Sequence, residues 1–142
     1  YLYWCVQCLI KGGRYFGEIS SRSKNYKIIF LTNKLIKLDS NNFEYYKDRS
    51  HAFFQLGEYV EGKANALKGI ELNPTDHYLF FLCGFISQNL EEYSEAVKYY
   101  DEALNLDPNS EYSSSKDITN WKEECKNKLK KLELKENDKR SL

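Results

Sequence analysis

The chain has 142 residues, 42% of them hydrophobic and 30% charged, which is enough for one compact domain with a real core. Its 21 basic and 21 acidic residues cancel, so no global field draws it to nucleic acid or to an anionic membrane. Four cysteines (Cys5, Cys8, Cys83, Cys125) are too few for a disulfide framework, and Pro74 spoils Asn73-Pro74-Thr75 as a glycosylation acceptor, so a reducing compartment is expected.

The chain opens on YLYWCVQCLI, too short to span a bilayer and without the basic lead of a signal peptide. It begins on Tyr1, contains no methionine and reads as a piece of something longer. As a helix, this segment puts Cys5 and Cys8 on one apolar face. Their C-x-x-C spacing is half of a zinc site. Structural zinc wants four ligands, however, and only two distant cysteines and two histidines remain as candidates. Core packing is the reading, with reduced thiols and no metal or cofactor. Thioredoxin-type chemistry needs a strand-to-helix setting that is missing here. Gly12-Gly13 follows a helical pattern without P-loop spacing and reads as a close helix crossing.

Two windows then say the same thing. Phe43–Asp76 and His77–Ser110 close on Pro74 and Pro108, which lie 34 residues apart. Tyr59 recurs as Tyr93, Glu61 as Glu95, Ile70 as Leu104 and Leu72 as Leu106. Gly62 and Gly69 fall where Ala96 and Ala103 fall. A period in this range marks stacked repeats that bury their apolar faces against neighbours. Each window divides into two helices. In the first, Tyr46, Arg49, Ser50 and Phe53 have helical spacing before a turn at Leu56-Gly57-Glu58, and Ala66, Gly69 and Ile70 share a stripe that Pro74 ends. Gly62 and Gly69 each lower helix propensity by about 1 kcal/mol, and close helix contact is the expected compensation.

Beyond residue 113, Ser114 and Asp117 make a capping-box-like start. Ile118, Trp121, Cys125, Leu129 and Leu132 then line one face of a solvating end helix over about 114–135, and 137–142 form a frayed tail. Residues 90–112 hold seven acids and one lysine, and 126–140 hold seven basic residues and three acids. Both runs read as solvated helix faces. His51 and His77 lie near no nucleophilic pattern, and His51 sits one turn after Asp48, close enough to hydrogen-bond it.

This pattern resembles the tetratricopeptide repeat, a helix-turn-helix unit of 34 residues. Gly84, Tyr93, Ala96, Tyr100, Ala103 and Pro108 match the family's signature positions, and the earlier window matches through Tyr46, Phe53, Gly57, Tyr59 and Pro74. A weaker copy precedes both. Lys11-Gly12 with Tyr15-Phe16 is similar to the opening helix of adaptor-type members, Tyr26–Leu38 is its second helix, and Ile19–Asn25 is a link longer than the family turn. The resemblance implies an all-α fold: three repeats (about 5–42, 43–76, 77–110) and a capping helix, forming one domain over 1–136 as a right-handed superhelical solenoid.

It also implies a concave groove lined by the first helix of each repeat. Here that assigns Val6, Leu9, Gly13, Phe16, Lys47, Asp48, His51, Tyr78, Phe81, Leu82 and Phe85. Co-chaperone members grip the C-terminal carboxylate of heat-shock chaperones with two lysines, two asparagines and an arginine. Those five positions fall on Leu9, Gly13, Asp48, Tyr78 and Leu82, so the clamp is lost and one position has become an acid. The expected partner is an apolar peptide or helix carrying a basic residue, not a chaperone tail, nucleic acid or membrane. The expected function is a non-enzymatic protein-interaction adaptor in the cytoplasm, with the nucleus as an alternative. A building block whose groove is filled by its own chain or by self-association is the second reading. An accessory domain of a ubiquitin ligase, isomerase or phosphatase is the third.

Overall fold

The period of the sequence is also a period of the backbone, down to individual caps. The computed structural model describes residues 1–11, 21–108 and 115–140. Among them are seven helices and no strand: α1 (Leu2–Ile10), α2 (Ser21–Leu38), α3 (Phe43–Leu56), α4 (Tyr59–Leu72), α5 (His77–Asn89), α6 (Tyr93–Leu106) and α7 (Ser115–Arg140). Asn42 starts α3 by accepting from the Glu44 amide, and Asp76, 34 positions on, starts α5 by accepting from the Leu79 amide. The turn at Leu56-Gly57-Glu58 is confirmed. Gly57 takes φ 79°, and its amide and that of Glu58 return to the carbonyls of Phe54 and Phe53 at 2.9 and 3.0 Å. Glu91 occupies the equivalent position with φ 62°, and the Glu91 and Glu92 amides reach Gln88 and Ser87 at 3.1 and 2.9 Å. Both turns close in the left-handed pattern that ends a helix by pairing two orphan carbonyls. Asn73 and Asp107, each ahead of a proline, end α4 and α6 with φ −140° and −144°.

The chain divides into two compact units, Tyr1–Pro74 and Thr75–Leu142. In the first, α1 packs on α2, α2 on α3 and α3 on α4. Val6 and Leu9 of α1 join Ile28 and Leu35 of α2 and Ala52 of α3 in one core. Helix α2 begins at Ser21, so most of the expected link Ile19–Asn25 is helical. Residues 21–25 contain neither glycine nor proline, and Asn25 is already buried on the inner face. The expected opening helix around Gly12, Tyr15 and Phe16 lies outside the described residues. Between α3 and α4 the hydroxyl of Ser50 donates to the Gly62 carbonyl at 2.7 Å, the close approach expected of a glycine there. Arg49 extends its fork to Asn65 of α4 (2.6 Å) and Asn33 of α2 (2.5 Å), tying three helices together.

In the second unit α5 packs on α6 and α6 on α7. Tyr93, Ala96 and Tyr100 of α6 meet Ile118 and Cys125 of α7 in a core flanked by Phe81, Phe85, Trp121 and Leu129. The two helices run antiparallel: Lys122 pairs with Asp101 at 2.8 Å, and Lys128 lies over the ring of Tyr93 at 5.2 Å. Leu132 departs from expectation, being 48% exposed. Tyr93 is the first residue of α6, so α7 outruns its partner within a turn of Lys128. The helix nonetheless continues to Arg140, where the sequence suggests fraying from residue 137. Its lysines and glutamates favour helix and are paired along the surface, as in Lys126–Glu123 (2.8 Å) and Lys128–Glu124 (3.6 Å). Ser114 lies outside the described residues, while Asp117 sits in the first turn of α7 as expected. No helix among the described residues is long and apolar enough to cross a membrane.

Candidate functional site

Helix α3 carries an unusual sequence for a helix face, Glu44-Tyr45-Tyr46-Lys47-Asp48 followed by His51. Glu44 and Asp48 are one turn apart, a like-charge pair that works against the helix. Lys47 relieves Glu44 with an ion pair of 3.0 Å, and its ammonium also lies 5.0 Å from the centre of the Phe43 ring. Asp48 accepts one hydrogen bond, from the side-chain amide of Gln7 across the α1–α3 contact, at 3.1 Å. A single neutral donor is thin support for a half-buried carboxylate. Loss of water, then the neighbouring Glu44 charge, push the Asp48 carboxyl up to about 7, against the smaller opposing pull of Lys47 and Gln7. Beside it Tyr3 of α1 and Tyr45 of α3 hold their rings 5.6 Å apart, at 57°. Burial raises the Tyr3 phenol, and the Glu44 and Asp48 charges add to that shift.

His51, one turn further along α3, meets the Gln55 amide nitrogen through Nε2 at 3.3 Å and packs its ring edge-on to Phe54 at 6.4 Å. Desolvation and then the Lys24 ammonium lower the pKa of its imidazole, which favours the neutral ring. The face between α1 and α3 therefore combines two carboxylates, a lysine paired with one of them, two tyrosine rings, an amide and an imidazole. Carboxylate and aromatic face together are what a guanidinium or ammonium group prefers.

The residues assigned by resemblance divide sharply in this fold. Lys47, Asp48 and His51 come together on α3. Val6 and Leu9 are buried in the core of their unit, and Leu82 of α5 is buried as well, so their side chains present almost no surface. Phe81 and Phe85 face the end helix: the Trp121 ring lies 5.7 Å from Phe81 and 5.2 Å from Phe85. Tyr78 is half-buried, its ring 5.8 Å from that of Phe81. Val6 and Leu9 thus pack with α2 and α3, while Phe81 and Phe85, both partly buried, lie against the core that α7 shares with α6. Gly13 and Phe16 lie outside the described residues. Sequence reasoning passed over Tyr3, Gln7, Glu44 and Tyr45. The Glu44–Asp48 spacing was a readable signal, but Gln7 and Asp48 are 41 positions apart and only the fold joins them.

Comparison with known proteins fits this picture. The tetratricopeptide repeat family model matches residues 77–110. The chain is 33% identical over 76 residues to the Hsp70-Hsp90 organizing protein 1 of Glycine max, covering 54% of this chain and 13% of that protein. It is 38% identical over 66 residues to the SGT1 homolog of Oryza sativa subsp. japonica, covering 46% and 18%. The chain thus spans less than a fifth of the length of these relatives. Among solved structures, the TPR2B domain of yeast Sti1 in complex with an Hsp70 peptide superposes with a TM-score of 0.73 at 20% identity, covering 89% of this chain and 98% of that one. The first TPR of Spaghetti (RPAP3), bound to the HSP90 peptide SRMEEVD, gives 0.71 at 23% identity, covering 87% and 92%. Likeness at these identities shows the fold.

Proposed function

We propose that this chain is a tetratricopeptide repeat domain, a protein-interaction module that docks a peptide or helix of a partner protein on the α1–α3 face. Similar domains bind HSP90 and HSP70 peptides, which supports a peptide as the class of ligand. The observation that carries the specificity is Asp48. It is a carboxylate withdrawn from water, supported by one amide and pressed by a second acid. A lysine or arginine from the partner would add a direct counter-charge to the smaller pull of Lys47, with Tyr3 and Tyr45 as aromatic walls. An acidic chaperone tail does the opposite. It would bring further carboxylates to Asp48 and Glu44, and the cation beside them, Lys47, is already paired with Glu44. The module acts in the cytoplasm as part of a larger adaptor, as the short coverage of its relatives suggests.

Selection from a displayed peptide library tests this reading. Enriched peptides should share a lysine or arginine beside apolar residues, and Asp48→Asn should weaken them about tenfold, the order expected for losing a charge-assisted contact. Enrichment of acidic peptides, or affinities indifferent to Asp48→Asn, would show that the reading is wrong.

A further inference from the structure

The face of α2 turned away from its own core has a different chemistry. Asn25, Ile28, Thr32 and Leu35 form the buried side, and Thr32 is satisfied there by the Ile28 carbonyl at 2.8 Å. Opposite them Arg22, Tyr26, Phe30 and Lys34 follow one another at four-residue steps. Tyr26 is 48% and Phe30 58% exposed, a high cost for two aromatic rings in water. An open depression of about 460 Å³ is lined by Arg22, Ser23, Tyr26, Lys27 and Phe30. The helix contains no acidic residue and five basic ones. Lys24 donates to the Ile10 carbonyl at 3.2 Å and Lys34 lies 4.5 Å from the Phe30 ring centre. Among the described residues no carboxylate pairs with Arg22, Lys27, Lys34 or Lys37.

We infer that this face of α2 is a second docking surface, for an acidic segment of a protein partner with aromatic or aliphatic anchors one helical turn apart. The anchors fill the depression beside Tyr26 and Phe30, and the flanking carboxylates meet Arg22, Lys27 and Lys34. Charge complementarity selects the occupant: a helix with cations and no acids repels a basic ligand and attracts an acidic one. An acidic protein segment fits better than nucleic acid. The cations flank one apolar depression and do not form a track, and the chain as a whole has no net charge to hold a phosphate backbone. The surface is distinct from Asp48 and requires ligand chemistry of the opposite sign.

The test is fluorescence anisotropy of the whole chain with an acetylated, amidated twelve-residue polyglutamate peptide carrying phenylalanine at two positions four apart. The amide cap removes any terminal carboxylate. Saturable binding is expected, weakening about tenfold or more when salt is raised severalfold. Phe30→Ala and, separately, Lys27→Glu should each weaken it at least tenfold, whereas Lys130→Glu with Lys131→Glu on α7 should leave it in place. An oligonucleotide and vesicles with anionic lipid are the comparison probes. No saturable peptide binding, binding unmoved by the α2 variants, or tighter and α2-dependent binding to either comparison probe would overturn the inference. Circular dichroism of each variant guards against misfolding, and Phe30→Tyr, expected to bind within about twofold of the unaltered chain, serves if Phe30→Ala fails to fold.

Discussion

Gly84 lies directly beneath the ring of Tyr100: a Cβ built at residue 84 would sit 2.7 Å from Cδ1 and 2.8 Å from Cε1. The equivalent pair one repeat earlier is Ser50 and Ala66, where the small partner leaves room for a hydroxyl that bonds Gly62. The second unit thus sets a large ring against a glycine where the first sets two small side chains. Tyr100 cannot swing aside, since it is buried, its hydroxyl donates to Gln88 at 2.7 Å and its ring lies 6.5 Å from that of Trp121. Gly84→Ala should therefore destabilise the chain by about 1–3 kcal/mol, the usual range for overpacking, despite alanine's better helix propensity. Chemical denaturation measures it, and an unchanged or higher midpoint would mean the ring is free to move.

The paired turns give a prediction of opposite sign. Glu91 holds φ 62° where Gly57 holds 79°. An L side chain in this region costs roughly 1–2 kcal/mol, while glycine gives back part of that in unfolded-state entropy. Glu91→Gly should stabilise by about 0.5–1 kcal/mol, and Gly57→Ala should destabilise by about 1 kcal/mol. Thermal melts of the two variants should shift in opposite directions.

Trp121 joins the end helix to α5 through Phe81 and Phe85 and to α6 through Tyr100. Trp121→Ala should destabilise by about 3 kcal/mol, the lower part of the range for emptying a large aromatic site, because the ring is only half-buried. Leu132→Ala, one turn past the end of the docked stripe, should change stability by less than about 0.5 kcal/mol. Equal effects from the two would contradict the packing described.

Much of this fold was legible because a repeat states its rules twice. The helices, the Gly57 turn and the proline-terminated ends follow from residues 34 apart, and the stripe of α7 follows from its spacing up to Leu129. Leu132 was not legible, since its exposure depends on where α6 starts in space. The start of α2 was missed because polar residues such as Asn25 can be helical and buried without any apolar signal. The site was read in part. Asp48 and its neighbours on α3 stand out by charge, whereas Gln7 and Tyr3 arrive from another helix. Val6, Leu9 and Leu82, all buried, show why an apolar residue on a first helix is an ambiguous sign: core packing needs the same residue types as a groove.

Asp48 also predicts how stability depends on pH. Its carboxyl moves from an ordinary 3.8 to about 7 on folding, so between those values the folded chain holds a proton that the unfolded chain has released. Stability from this group is greatest below about pH 4, falls as pH rises to about 7 and is level beyond. Asp48→Asn should match the unaltered chain at pH 4 and exceed it by about 2 kcal/mol at pH 8, after allowance for partial solvation. A carbon-detected NMR titration of the Asp48 carboxyl gives the midpoint directly, and a value near 4 would remove the reason for this residue to recruit a cation.

The central claim, that the α1–α3 face takes a cationic ligand and rejects an acidic tail, is tested most directly by calorimetric titration of the chain with the peptide SRMEEVD, which is bound by a similar domain. The account predicts no saturable heat up to about millimolar peptide, an affinity no better than about −4 kcal/mol. One-to-one binding at micromolar concentration, weakened by changes at Asp48 or Tyr45, would contradict it.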